Sequence, residues 1–135
     1  MMKTSDFDLI ERTALFGETV IGFCRSLAYS AVNEPLVHQL VRAGTSIGAN
    51  YCEANDAESR KDFRHKISIC RKEASETKYW LRMVAKAAPG QKSLARQLWS
   101  EAHELHLIFV TVIRTTDRNL RTAAASAASA SDISH

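Results

Sequence analysis

Apolar residues recur at alternating intervals of four and three through four successive segments of this chain. That rhythm is the strongest constraint on its fold. It places one apolar stripe along each of four helices, and its mean of about 3.5 residues suits left-handed packing near 20°. The first segment carries Ile10, Ala14, Gly17, Ile21, Cys24 and Ala28. Leu36, Leu40, Ala43, Ile47, Asn50 and Ala54 mark the second. The third repeats through Phe63, Ile67, Cys70, Ala74, Thr77, Leu81 and Val84, and the fourth through Leu94, Leu98, Glu101, Leu105, Ile108, Val112 and Thr115.

The breaks between segments carry their own signals. Asn33 is a capping residue with Pro35 in the first turn behind it, where a missing N–H costs nothing. Ser59 caps the third segment after the polar turn "ANDAES", and Pro89–Gly90 stops it. The predicted helices span about 6–30, 33–56, 59–88 and 91–120, within a single domain at 1–121. Residues 122–135 form a low-complexity tail without a large apolar stripe, expected to be disordered. With only two Pro and five Gly, little in the chain opposes helix. Long helices joined by short connections predict an all-α, antiparallel up-down-up-down four-helix bundle.

One stripe position is anomalous. Asn50 stands where leucine is expected, and a buried amide in a bundle seam fixes register at a cost in stability. Thr77 on the third stripe, with Glu73 and Glu76 beside it and Glu53 on the second helix, supplies partners for a polar core network. Ile69, Trp80 and Met83 form a second apolar face on the third helix, away from its stripe. A tryptophan buries about 150–250 Å², so this face predicts a subunit interface.

Charge is segregated along the chain. Eleven basic and three acidic residues lie between Ser59 and Arg96, a balance of +8 within a chain of net +3. At about 100° per residue, Arg60, Arg64, Arg71, Lys78, Arg82 and Lys86 fall in one stripe about 80° wide on the third helix. Such a row suits phosphate backbones, which it neutralises with counterion release. The competing reading is a solvated face on a protein-only scaffold.

Enzyme chemistry finds no footing in these patterns. "EAHELH" brings Glu101, His103, Glu104 and His106 together, yet no histidine follows a glutamate by three residues as a di-metal bundle site requires. "RAGTSIGAN" lacks the ending of a phosphate-binding loop, and no nucleophile stands at a recognisable spacing from a histidine. No catalytic residue, metal or cofactor is expected. Cys24, Cys52 and Cys70 lie within helical patterns without CxxC spacing, as reduced thiols do. The acidic N-terminus lacks a signal-peptide core, and no stretch reaches the roughly 20 apolar residues of a membrane span. A cytoplasmic protein is expected.

"RAGTSIGANYCEANDAESRKDF" followed by "KEASETKYWL" resembles the bacterial four-helix bundle family encoded in intervening sequences of large-subunit ribosomal RNA genes. The match covers Arg42 to Leu81, including Ser46, Ile47, Asn50, Glu53, Ser59, Phe63, Glu73, Glu76 and Trp80. It departs at Ala54, where many relatives have glycine. The resemblance implies a ring-like homo-oligomer, a pentamer above other states. It also implies kinship with the basic accessory protein of diversity-generating retroelements, which associates with a reverse transcriptase and nucleic acid. The expected function is a non-enzymatic oligomeric adaptor associated with RNA or DNA.

Overall fold

The computed structural model describes residues 6–133. Four helices make up nearly all of it: α1 at Asp6–Arg25, α2 at Asn33–Asn55, α3 at Arg60–Ala87 and α4 at Lys92–Ile133. A single 3₁₀ turn, Pro89–Gln91, separates α3 from α4. The Ser59 hydroxyl caps α3 by accepting the Asp62 N–H at 3.1 Å. Asp62 in the first turn and Lys86 in the last oppose the partial charges of the helix ends.

The start of α2 differs from expectation. Asn33 is the first helical residue, and its N–H is taken by the Ser30 hydroxyl at 2.8 Å. Its side-chain amide donates to the Ala28 carbonyl at 2.9 Å, holding the turn closed. α1 also stops at Arg25, short of Ser30. There the Ser26 hydroxyl donates to the Phe23 carbonyl at 2.6 Å, and the last N–H groups tighten to i−3 bonds.

Successive helices pack side by side and run antiparallel. Gly48 and Gly44 on α2 meet Thr13 and Val20 on α1. Glu53 pairs with Lys66 and Arg42 with Glu73 between α2 and α3, and Arg64 pairs with Asp117 between α3 and α4. The architecture is therefore the expected all-α four-helix bundle. Its packing is uneven, because α3 lies against both α2 and α4 whereas α1 rests chiefly on α2. Between α1 and α4 runs an apolar groove of about 590 Å³ lined by Leu15, Phe16, Phe23, Leu94 and Leu98. Arg12 bridges it, donating to Glu101 at 2.9 and 2.8 Å and to Glu104 at 2.7 Å.

The core corrects three sequence expectations. On α1 the buried residues are Leu9, Thr13, Phe16, Gly17, Val20, Phe23 and Cys24, so Gly17 and Cys24 of the expected stripe face inward while Ala14, Ile21 and Ala28 are exposed. Turning the helix inward along Leu9, Phe16 and Phe23 buries more apolar area than Ala14, Ile21 and Ala28 would. On α2, Tyr51 takes the place assigned to Asn50, packing 6.0 Å from the Phe109 ring. On α4 the inward residues are Ala95, Leu98, Ala102, Leu105, Phe109 and Thr116, so Leu94 and Thr115 face outward. The α2 and α3 stripes otherwise stand as read.

α4 also continues as helix through the segment expected to be disordered, to Ile133. Residues 121–131 are exposed throughout. Their helix rests on alanine propensity and on extension of a helix already nucleated by packing. Residues 134–135 of that tail lie outside the described residues.

Candidate nucleic-acid interface

The six cations of the α3 stripe divide into two groups. Arg60, Arg71, Arg82 and Lys86 are exposed and make no hydrogen bond or ion pair with other described residues. Arg64 and Lys78 instead reach across to α4. Arg64 donates to the two Asp117 carboxylate oxygens at 3.0 and 3.4 Å and holds that carboxyl below its ordinary range. The stripe thus borders the α3–α4 seam, where the sequence had placed it wholly in water. α3 is the central helix, and its two flanks are covered by different neighbours.

Lys78 sits at the middle of an aromatic ladder on α4. Its ammonium lies 3.1 Å from His103 Nδ1 and 5.3 Å from the centre of the Trp99 ring. An ammonium only donates, so His103 accepts through Nδ1 and carries its proton on Nε2. The His103 ring stacks on Trp99 at 5.1 Å and 17°, and His106 follows at 6.4 Å and 18°. Burial, then the charges of Lys78 and Arg71, lower the His106 pKa. Its Nδ1 is buried without a hydrogen-bond partner among the described residues.

Toward the Pro89–Gln91 turn, the seam widens into a groove of about 560 Å³. Arg82, Lys92 and Arg96 supply its charge, and Leu81, Ala85, Ala95 and Trp99 its apolar lining. Sequence reasoning missed Lys92, Arg96, Trp99 and His103. Lys92, Arg96, Trp99 and His103 are spaced four, three and four apart on one face of the last helix. That spacing is legible, but its apposition to Arg82 and Lys78 requires the antiparallel register.

The anticipated polar core network resolves into separate contacts on the α2–α3 side. Asn50 is half-buried and donates to the Ser46 carbonyl of its own helix at 2.9 Å. Thr77 donates to the Glu73 carbonyl at 2.7 Å. Arg42 joins Glu73 at 3.2 Å and Glu76 at 2.5 Å. Burial raises the Glu73 pKa, while the Arg42 hydrogen bond lowers that of Glu76. Glu53 pairs separately with Lys66 at 3.3 Å. Asn50 and Thr77 thus satisfy themselves on carbonyls of their own helices, and Arg42 carries the polar contact between α2 and α3.

Ile69, Trp80 and Met83 are half-buried within the single bundle. Trp80 packs against the core with its ring edge-on to Tyr79 at 5.0 Å, and its indole N–H is buried without a partner among the described residues. Of this second face of α3, Trp80 is packed inside the subunit, with Ile69 and Met83 partly exposed beside it. Among the thiols, Cys24 and Cys70 are buried, and burial pushes them up to about 11 and about 12. Cys52 is exposed. Among the described residues no group of three or more His, Cys, Asp or Glu is placed to hold a metal ion, and no helix is long and apolar enough to cross a membrane.

The family described as 23S rRNA-intervening sequence protein matches residues 5–111. The chain belongs to that family. A crystal structure of a protein of unknown function from the S23 ribosomal protein family of Bacteroides thetaiotaomicron is similar at 30% identity and a TM-score of 0.71. The likeness covers 81% of this chain and 97% of that one. No curated protein sequence matches. For this intervening-sequence family member, the matched region contains the whole α3 stripe, Lys92, Arg96, Trp99 and His103.

Proposed function

We propose that this protein is a non-enzymatic helical-bundle adaptor that associates with nucleic acid along the α3–α4 seam and acts as a homo-oligomer. The observation carrying this reading is the row of exposed Arg60, Arg71, Arg82 and Lys86, unpaired among the described residues and continued across the seam by Lys92 and Arg96. Unpaired cations retain their full attraction for phosphate, whereas those already paired give up part of it. Repetition of the seam around a pentameric ring, which the family resemblance implies, would multiply a weak patch by effective concentration. A reverse transcriptase is the protein partner suggested by the same resemblance.

A protein-only scaffold is the second reading. The engagement of Arg64 with Asp117 and of Lys78 with His103 favours it, since those two cations serve to join helices. A salt titration separates the readings. Association with RNA or DNA should weaken steeply as salt rises, and Arg60→Glu with Arg71→Glu should reduce affinity at least tenfold at low salt. Light scattering on the same samples gives the oligomeric state. Absence of affinity in the unaltered protein at low salt leaves the scaffold.

A further inference from the structure

The groove at the α3–α4 turn pairs two properties that a phosphate-binding surface alone does not need. Its three cations, Arg82, Lys92 and Arg96, surround an apolar lining, and no carboxylate is among the residues that form it. Into this lining projects Trp99, with 38% of its surface still in solvent. A large, part-exposed aromatic ring among three cations leaves apolar area in water that a stacked ligand would cover.

The ring is also held in place. His103 stacks on it at 5.1 Å, and Lys78 lies 5.3 Å from its centre. Lys78 and His103 are within 3.1 Å of one another, so both occupy one side of the indole. Side chains on a helix lean toward its N-terminus, which carries the Trp99 ring toward Ala95 and Arg96 in the groove lining, with part of its surface left in solvent. The cation–π and stacking contacts fix the ring before any ligand arrives, lowering the ordering cost of binding.

We propose that this groove is a subsite for an unpaired nucleotide of a single strand, its base stacked on Trp99 and its phosphates held by Arg82, Lys92 and Arg96. The inference rests on the reading of the α3–α4 seam as a nucleic-acid face and gives that face a specificity. A duplex keeps its bases stacked on one another and presents only phosphates, whereas a single strand offers a free aromatic face. A volume of about 560 Å³ accommodates a base with its sugar and phosphate. The seam therefore prefers single strands.

The test uses the full chain and two fluorescent probes. One is an oligoadenylate RNA of about 12 nucleotides, within the span of a single-strand site; the other is the same strand paired with oligouridylate. The single strand should bind more tightly. Trp99→Ala should weaken its binding by about 5- to 100-fold, the effect of losing one base–aromatic stack, and change duplex affinity less than twofold. Trp99→Tyr should recover most of the loss, with unchanged circular dichroism showing that the variants fold. Equal loss for both probes, or none for the single strand, overturns the subsite. Binding of adenosine monophosphate tighter than that of the strand also overturns it, in favour of a small-molecule site. Equal affinity of the unaltered protein for both probes sinks the subsite while leaving the nucleic-acid face intact. Loss of the broader reading shows instead as no affinity for either probe.

Discussion

Two glycines on neighbouring helices meet opposite fates in the α1–α2 contact. A Cβ on Gly44 would stand 3.1 Å from both methyl carbons of Val20, which is fully buried. On Gly17 it would lie 3.6 Å from Thr45, an ordinary contact. Either substitution by alanine gains about 0.8–1 kcal/mol of helix propensity. At Gly44 that gain is opposed by about 1–3 kcal/mol of overpacking. Gly17→Ala should therefore stabilise the protein by about 0.5–1 kcal/mol, and Gly44→Ala should destabilise it by about 1 kcal/mol, measured by urea unfolding. Equal effects would show that Val20 yields freely. Asn50 is the residue-scale misreading. Positions 50 and 51 each stand three or four residues from Ile47 and Ala54, so the spacing alone does not say which faces inward. The larger ring of Tyr51 takes the core, and Asn50 is left to bond its own helix.

Among the elements, α3 was the most legible from sequence. A serine cap, an unbroken stripe and a Pro–Gly stop mark it at both ends, and the structure follows them within a residue. α1 was least legible, because it carries apolar residues on two faces and only packing chooses between them. α4 was misjudged at its far end for a different reason. Six alanines between Arg121 and Ser131 give no stripe to read, yet they favour helix without burial. Truncation after Arg121 should shift stability by less than about 0.5 kcal/mol, because the residues removed are exposed. Amide exchange in the intact chain should show weak protection there and strong protection near Leu105. A large loss of stability on truncation would mean that the segment packs against something.

At the scale of the whole molecule, stability should fall with acid in two stages. The lowered His106 pKa means that the folded state binds fewer protons than the unfolded chain. Its contribution is complete above the ordinary value of 6.5 and is lost as pH falls through the lower folded value. Glu101, Glu76 and Asp117 behave alike at lower pH, being held down by hydrogen bonds from Arg12, Arg42 and Arg64. Their contributions are complete above the ordinary carboxylate values and fade as pH falls through the depressed ones. Glu73 works against them, because burial raises its pKa and protonation relieves that cost. His106→Gln should flatten the mild-acid stage and Glu101→Gln the lower one, read from urea midpoints between pH 7 and pH 3. Unchanged profiles would sink the assignment. The helix order of the bundle was legible from its short connections, as was half of the candidate site, the α3 stripe. The α4 half was not, since apposition across a seam is a property of register and not of either helix alone.

The uneven packing also bears on how the chain assembles in time. Each helix rests chiefly on its sequence neighbour, and α1 touches α4 sparingly. Contacts are therefore short-range along the chain, the condition under which small proteins fold fastest. Pairing can proceed hairpin by hairpin, with no distant partner to await. The α1–α4 contact, which Arg12 bridges, closes the longest loop in the bundle and is the costliest in chain entropy.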